Sequence, residues 1–223
     1  MCLAAAAMLF SCVGRERPAI IFAVNAYPKA VSLRIGEEPR PVWGVERLAA
    51  AGISTAAVVR EEGAYPVYYR IAGSDAWQRL PIELGEAECR IRPGTVSAVV
   101  VDHRGFIRVQ TFGDDPRPGA RVSLLNATTL TLKTARLFAP REEAFPVFRA
   151  EDLSAGSSTV FRSVVPGEYR LEAVFASRRA GDGAPAQTVV SCGEPYYTII
   201  CCFIRDNRPV FEQQKVDMDG IAP

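Results

Sequence analysis

An internal repeat constrains the fold of this chain more than any other feature of its sequence. Residues 19–35 contain an apolar run, the pair Asn25-Ala26 and a second alternating run, and residues 120–134 repeat this design around Asn126-Ala127. Three further landmarks recur in the same order at offsets of 101 to 104 residues: the turns before Tyr65 and Tyr169, the pair Cys89 and Cys192, and the apolar runs 95–101 and 196–202. A constant order at nearly constant spacing indicates a duplicated unit.

The repeat predicts a tandem of two homologous domains. A leader and tether occupy residues 1–17, the first domain spans 18–113 and the second spans 118–223. The junction at 113–119 holds two prolines and two glycines, which interrupt helices and sheet ladders alike. Because a domain of about 100 residues buries roughly two thirds of its unfolded surface, we expect two separate apolar cores, one in each domain.

Alternation of side chains predicts that both domains are all-β. Apolar residues recur at every second position in 31–35 and 130–133, which is the pattern of half-buried strands. The runs 96–101 and 196–203 are apolar almost without a break, so we expect central strands buried on both faces. Helical patterning is confined to 44–51, where we expect about two turns of helix. The corresponding segment, 142–153, is expected to be a loop or an edge segment.

Several short strands within about 100 residues predict a small β-sandwich of the immunoglobulin-like kind. In such folds a tyrosine opens the strand after a corner, and its hydroxyl bonds to the backbone upstream. Tyr65 follows Glu-Gly-Ala, and Tyr169 follows Pro-Gly-Glu, at corresponding turns of the two units. We therefore predict that both tyrosines are structural and that both hydroxyls donate to main-chain acceptors.

The N-terminus predicts export. Residues 3–10 are apolar; this run is too short to span a bilayer, which takes about 20 residues, but it suits the hydrophobic region of a signal peptide. The sequence Leu-Phe-Ser-Cys at 9–12 resembles a bacterial lipobox, which makes Cys12 the candidate lipid-attachment site, although no Lys or Arg precedes the apolar run. This interpretation predicts a periplasmic or cell-envelope protein anchored to the membrane through Cys12. An ordinary secretory leader or a buried apolar terminus is the alternative.

The four cysteines beyond the leader do not follow a metal-binding pattern. Cys89, Cys192, Cys201 and Cys202 include no C-x-x-C pair, and His103 is the only histidine, so a zinc site is not predicted. Cys201 and Cys202 are adjacent and face opposite sides of a strand, so they cannot readily bridge each other. Buried free thiols are the favoured interpretation, while a disulfide between other pairs stays open for an exported protein.

No catalytic signature stands out. The chain lacks a G-x-S-x-G elbow, a glycine-rich phosphate loop and an H-E-x-x-H motif. His103 belongs to a predicted hairpin turn, and the acid pairs at 37–38, 61–62 and 142–143 lie at predicted strand ends, where they are solvated. We therefore predict a non-enzyme without a cofactor or a metal. The net charge of +1 argues against nucleic acid as a partner.

Trp43 and Trp77 are the candidate binding residues. They are the two tryptophans of the chain, and each lies in a predicted loop or turn of the first domain. Exposed aromatic faces stack on sugar rings and anchor protein interfaces, so both tryptophans are candidates for contact with a glycan or a protein. The alternative is that they cap the open ends of the sandwich.

The order of these features resembles the AlgF family, periplasmic accessory proteins of alginate O-acetylation that are also tandems of two small β-domains. The segments that carry the resemblance are 122–126, 130–134, 63–65 and 194–199. The resemblance implies an adaptor without recognised catalytic residues, whose partners are a membrane-bound O-acyltransferase and a periplasmic acetyltransferase, with the polysaccharide as a further candidate. The polymer need not be alginate, and the lipobox-like leader departs from the family.

Two hypotheses follow. The first is a non-catalytic envelope adaptor in O-acetylation of an exported polysaccharide, which brings the acyltransferase and the acetyltransferase together. The second is a surface lipoprotein whose β-sandwich domains bind a glycan or a protein partner.

Overall fold

The computed structural model describes residues 17–80, 88–112, 119–140, 145–176, 185–206 and 208–217. Every regular element within these residues is a β-strand, which confirms the prediction of an all-β protein. We call the described residues up to 112 the first half and those from 119 the second half. Cys12, most of the predicted junction and the acid pair at 142–143 lie outside the described residues.

The first half forms two sheets. Its strands are β1 (Ala19–Asn25), β2 (Val31–Ile35), β3 (Trp43–Leu48), β4 (Gly52–Ile53), β5 (Ala57–Val59), β6 (Gly63–Ile71), β7 (Gln78–Arg79), β8 (Glu88–Ile91), β9 (Val96–Val101) and β10 (Ile107–Phe112). The first inner sheet has the order β10-β9-β1-β4, and β5 also pairs with β1. The first outer sheet has the order β3-β2-β6-β7, and β8 also pairs with β6. Strands β1 and β9 are parallel.

The second half repeats this plan. Its strands are β11 (Ala120–Asn126), β12 (Leu132–Phe138), β13 (Phe148–Leu153), β14 (Arg162–Val164), β15 (Gly167–Phe175), β16 (Ala186–Cys192), β17 (Tyr196–Arg205) and β18 (Arg208–Asp217). The second inner sheet has the order β14-β11-β17-β18, and the second outer sheet has the order β13-β12-β15-β16. Strands β11 and β17 are parallel, as β1 and β9 are. Strand β13, which covers 148–153 of the segment expected to be a loop or an edge segment, is a regular strand at the edge of its sheet.

Each half has an apolar core between its own two sheets. In the first half, Leu33 and Val67 of the outer sheet pack in one cluster with Ile21 and Val99 of the inner sheet. In the second half, the cluster joins two inner strands, β11 and β17, to two outer strands, β12 and β15. Each half therefore has an apolar cluster of its own.

A third apolar cluster, which we call the middle cluster, lies between the two inner sheets and takes residues from both halves. It contains alternate residues of β1 and β9 together with alternate residues of β17. The expectation of only two cores is therefore wrong. The middle cluster explains why β9 is buried on both faces, as its unbroken apolar sequence predicts, and why the same holds for most of β17.

Aromatic rings run through the middle cluster from one half to the other. Phe112 of the first half lies 6.2 Å from Phe22 and 5.6 Å from Phe161 of the second half, measured between ring centroids. Phe161 in turn contacts Tyr197 edge-on at 4.8 Å. At the far end of the cluster, Arg205 donates to the carbonyl oxygen of Ala51 at 2.8 Å. The four sheets therefore form one continuous stack, from the first outer sheet to the second.

Asn25 ends β1 and ties three parts of the first half together. Its side chain is fully buried, and its Nδ2 donates to the carbonyl oxygens of Lys29, Leu48 and Ala49 at 2.9 to 3.0 Å. Its Oδ1 accepts from the Tyr27 N–H at 3.0 Å. One amide thus pins the β1–β2 turn to the end of β3, which gives the repeated Asn-Ala pair a structural reason.

Asn126 makes the same connections at the end of β11. Its buried Nδ2 donates to the carbonyl oxygens of Leu130, Leu153 and Ser154 at 2.9 to 3.2 Å. Its Oδ1 accepts from both the N–H and the hydroxyl of Thr128. The β11–β12 turn is therefore tied to the end of β13, just as β3 is tied in the first half.

The segment 44–51, predicted to be helical, is instead edge strand β3 and the turn after it. Strand β3 pairs with β2 from end to end, but the register shifts once along the pair, and Arg47 has a φ of 52°. This bulge inserts one extra residue, so Val45 and Leu48, three positions apart, both pack on the core. A spacing of three is also the spacing of a helix face, which is why the sequence pattern gave the wrong element.

Candidate functional site

The two candidate tryptophans differ in burial. Trp43 begins β3 and belongs to the first core, and only 8% of its surface is exposed. The prediction that Trp43 lies in a loop and contacts a partner is therefore wrong: as the first residue of an inward-facing alternation, its indole fills the core. Trp77 lies just before β7 and is half-buried, so part of its ring remains accessible.

Trp77 lies against two arginines on the outward face of the first outer sheet. The guanidinium carbon of Arg34 is 4.3 Å from the indole centroid, and that of Arg70 is 4.9 Å away. Arg34 also lies 4.8 Å from the ring centroid of Tyr68, its direct neighbour across β2 and β6. We call these four residues the Trp77 surface. The ring quadrupole attracts both guanidinium groups, which holds the indole in place.

Carboxylates surround the Trp77 surface. Arg34 pairs with Glu38, and Arg70 pairs with Glu46 at 3.1 Å. Because both glutamates are well exposed, each pair contributes only about 0–1 kcal/mol to stability. A carboxylate of a bound partner could therefore replace Glu38 or Glu46 at little cost and use the planar, bidentate geometry of the guanidinium group.

The phenol of Tyr68 is held as a hydrogen-bond donor. Its hydroxyl donates to a carboxylate oxygen of Glu37 at 2.6 Å. This hydrogen bond, followed by burial and the negative charge of Glu37, raises the pKa of Tyr68. The same hydrogen bond to Glu37 holds the Tyr68 ring in its orientation beside Arg34.

A shallow cavity of about 450 Å³ adjoins this surface at the C-terminal end of β6. Its lining includes Ser32, Glu46, Arg70, Gly73 and Asp75. Arg70 belongs to both the cavity and the Trp77 surface, so a ligand that contacts the indole can extend into the cavity. The combination of a partly open indole, a phenol, two guanidinium groups and a polar depression suits recognition of a polar partner or a sugar.

The sequence could not single out Arg34, Tyr68 and Arg70. In β2 and β6 they occupy the polar positions of an alternating pattern, which any solvated strand face would show. Only the register that places Arg34 opposite Tyr68 and the return of the chain at Trp77 bring these residues together. The alternation alone gave the correct outward direction of their side chains.

The two turn tyrosines have the predicted hydrogen bonds. The Tyr65 hydroxyl donates to the carbonyl oxygen of Glu62 at 3.1 Å, and the Tyr169 hydroxyl donates to that of Val165. Both rings pack on or in the core of their own half. Their role is to close a corner, and neither belongs to a binding surface.

Asp102, which precedes His103 in the chain, has a structural role in the β9–β10 turn. One carboxylate oxygen of Asp102 accepts from the N–H groups of Arg104 and Phe106 at 2.8 and 3.0 Å, and the other lies 3.5 Å from Arg108. Asp102 therefore stabilises the β9–β10 hairpin turn and is not directed at the imidazole. Within the described ranges, no three His, Cys, Asp or Glu side chains converge as a metal site would require.

All four cysteines in the described part of the chain are buried and free. Cys89 lies in the first core, Cys201 in the middle cluster, and Cys192 and Cys202 in the second core. Burial raises the pKa of Cys89 to about 12 and that of Cys192 to about 11, and it raises the pKa of the other two thiols as well. The native state therefore disfavours thiolates, which makes these cysteines unreactive apolar residues.

The raised thiol pKa values predict that stability falls in alkali. A thiol whose pKa is higher in the native state stabilises that state fully below its unfolded pKa, about 8.5, and this contribution is lost as the pH rises toward the native pKa. We expect Cys89→Ala to be less stable than wild type at pH 7.5, but to lose less stability between pH 9 and 11. The difference in slope is at most about 1.4 kcal/mol per pH unit.

Urea unfolding at several pH values, in the presence of a reductant, measures this slope. Because tyrosines and lysines titrate in both proteins, the comparison isolates Cys89. Parallel curves of unfolding free energy against pH for the two proteins would contradict the prediction.

Comparison with known proteins adds no family to this description. No protein-family model matches the chain, and no curated protein matches it either. None of the described residues belongs to a helix of the length and apolarity needed to cross a membrane.

Proposed function

We propose that this chain is a non-catalytic adaptor of the bacterial cell envelope that acts in O-acetylation of an exported polysaccharide. Its partners in this proposal are a membrane-bound O-acyltransferase and a periplasmic acetyltransferase, and Cys12 carries the lipid that holds it at the membrane. The sequence resemblance to the AlgF family and the lipobox-like leader support the proposal. The stack of sheets supports it through the two different faces that it presents.

We further propose that the architecture is a tandem of two homologous, immunoglobulin-like β-sandwich domains. Equivalent residues have equivalent conformations in the two halves, which supports this view. Arg47 and Asp152, each the residue before a carbonyl bound by the buried asparagine, both have positive φ, at 52° and 46°. Gln110 and Gln214 both donate from Nε2 to the next carbonyl along the last strand of their half. Matching details of this kind are expected from duplication of one unit.

The observation that carries the adaptor proposal is the chemical difference between the two outer sheets. The first outer sheet presents the Trp77 surface. Both outer sheets carry Arg–Glu pairs, which on the second are Arg149 with Glu151 and Arg170 with Glu172. The difference is the indole, because both tryptophans of the chain lie in the first half. Because the middle cluster joins the inner sheets, these two faces are held at opposite sides of one stack. Two dissimilar faces at a fixed separation are what a protein needs to hold two different partners.

The test is affinity capture from envelope extracts of the source organism with tagged, full-length protein. We expect wild type to recover both the O-acyltransferase and the acetyltransferase. Trp77→Ala should lower recovery of one of them by roughly tenfold or more, because truncating an interface hot spot costs about 2 kcal/mol. The matched control is Arg149→Ala on the opposite face, which should leave that partner bound. Recovery of neither enzyme by wild type would rule out the proposal.

A glycan-binding surface lipoprotein is the second candidate, and the partly exposed indole of Trp77 beside two guanidinium groups favours it. A sugar ring would stack on the indole while a uronate carboxylate pairs with Arg34 or Arg70. Calorimetry with acidic and neutral oligosaccharides, on wild type and Trp77→Ala, distinguishes the candidates. Binding that disappears in the variant, in a protein that captures neither enzyme, would favour this second function.

A further inference from the structure

Four exposed apolar side chains lie at one end of the second half. Phe145 is 80% exposed, Val165 75%, Val147 44% and Tyr196 39%. Phe145 and Val147 precede β13, Val165 follows β14, and Tyr196 begins β17. Strand pairing places the starts of β13, β15 and β17 and the ends of β12 and β14 at this same end. We call these four residues the apolar end.

The corresponding end of the first half is polar. Its turns carry the exposed carboxylates of Glu37, Glu38, Glu61 and Glu62. Since the two halves share one plan, the fold does not require apolar residues at these turns. Exposed phenylalanine and valine in the second half therefore call for an explanation outside the fold.

The first described residue, Arg17, lies beside the apolar end. Its guanidinium donates to the hydroxyl of Tyr197 at 3.3 Å. The carbonyl oxygen of Arg17 accepts from the Gly94 N–H at 2.6 Å, which fixes the backbone at this point. Tyr197 is the second residue of β17 and directly follows Tyr196 of the apolar end. The chain is thus held at the second half, although it continues into β1 of the first.

The distance from Arg17 to the proposed lipid site is short. Cys12 precedes Arg17 by five residues, and five extended residues reach at most about 18 Å. A lipid on Cys12 lies in the hydrocarbon region, and the headgroup layer above it is about 5–8 Å thick. The end of the molecule that carries Arg17 is therefore confined to the bilayer surface, and the apolar end is confined with it.

We propose that the apolar end inserts into the lipid–water interface next to the acylated N-terminus. This inference rests on the proposed lipid anchor at Cys12. Phe145 and Val165 bury apolar area in the interface, and the anchor needs such a second attachment to fix the orientation of the protein. Glu168 and Glu194 are exposed at the same end and stay in the headgroup water. Insertion is consequently driven by apolar contact and does not require anionic lipid.

A tryptophan introduced at the apolar end tests whether this end of the protein enters the bilayer. Full-length Phe145→Trp, acylated at Cys12 during expression, is reconstituted into phosphatidylcholine vesicles with and without brominated acyl chains. We expect a blue shift of the added emission and loss of that emission with the brominated lipid, both unchanged by high salt. The matched control is Phe106→Trp, because Phe106 is also exposed, at 55%, but lies in the β9–β10 turn at the opposite end of the first half.

The outcomes separate this inference from the function proposed above. Mass spectrometry that finds no acyl group on Cys12 overturns the lipid anchor and this inference with it. If acylated Phe145→Trp protein binds vesicles but its added emission is not quenched, the inference is overturned and the anchor stays intact. Equal quenching in Phe145→Trp and Phe106→Trp overturns it as well, because the protein then has no fixed orientation.

Discussion

Replacing Asn126 with leucine is expected to lower the free energy of unfolding by roughly 3–5 kcal/mol. Leucine has nearly the same shape as asparagine but neither donates nor accepts, so the Leu153 carbonyl oxygen and the Thr128 N–H lose their amide partner. The carbonyl oxygens of Leu130 and Ser154 lose it too, but they keep the Thr128 hydroxyl and the Ser157 N–H as partners. A buried polar group left without a hydrogen bond costs about 1–3 kcal/mol, and the weaker bonding of Leu130 and Ser154 adds to the cost at Leu153 and Thr128. The measurement is urea unfolding followed by circular dichroism, which reports on both halves.

A matched control removes an amide that does not hold the fold together. Gln187 is exposed on β16, and its side chain donates to Glu172 on the sheet surface, so Gln187→Leu should change stability by no more than about 0.5 kcal/mol. Asn25→Leu should resemble Asn126→Leu, because Asn25 binds three carbonyls in the same arrangement. An effect of Asn126→Leu no larger than that of Gln187→Leu would show that the asparagine does not stabilise the fold.

Local periodicity was sufficient to predict most of the secondary structure. Alternation identified β2 and β6, and the unbroken apolar runs identified β9 and β17 as strands covered on both sides. The bonds of the Tyr65 and Tyr169 hydroxyls were also predictable, because a corner tyrosine reaches only a few residues back along its own chain. Each of these features depends on neighbours that are close in sequence.

Features that depend on distant residues were not predictable. An apolar run shows that both faces of β17 are covered, but not that β1 and β9 of the other half cover one of them. The bulge at Arg47 is set by pairing with β2, so the spacing of Val45 and Leu48 imitated a helix. The Trp77 surface combines Arg34 with Trp77, more than forty positions away, and no local pattern links them.

The two tryptophans show the same limit within one short stretch of chain. Both follow polar, turn-forming residues, so the sequence does not show which of the two is buried. Trp43 is buried because it starts an edge strand whose inward positions are Trp43 and Val45, whereas Trp77 precedes a two-residue strand at the margin of its sheet. The two tryptophans differ in how their strands pair within the sheet, and the sequence alone does not reveal strand pairing.

The middle cluster leads to a second large prediction: the two halves unfold as one unit, and Phe161→Ala uncouples them. Phe161 is 1% exposed and contacts Phe112 of the first half and Tyr197 of its own half. Removing its ring should cost about 3–5 kcal/mol, since a buried cavity is left behind. Because this cavity lies between the halves, we expect it to weaken their contact more than it weakens either core.

The positions of the tryptophans make this coupling measurable. Both Trp43 and Trp77 lie in the first half, so tryptophan emission follows unfolding of that half alone, whereas circular dichroism follows both. Coincident transitions by the two probes are expected for wild type, because coincidence is the mark of a single cooperative unit. For Phe161→Ala the two transitions should separate.

A phenylalanine in the second core provides the control for this experiment. Phe148 is also buried, but within the described residues it belongs to the second core and not to the middle cluster. Phe148→Ala therefore removes the same atoms without touching the contact between halves. We expect a similar loss of stability, with the emission and dichroism transitions still coincident, because damage to the second core passes to the first half through an intact middle cluster. Separate transitions in wild type, or coincident ones in Phe161→Ala, would mean that the middle cluster does not join the halves energetically. The two outer faces would then not be held at a fixed separation, and the adaptor proposal would lose the observation that carries it.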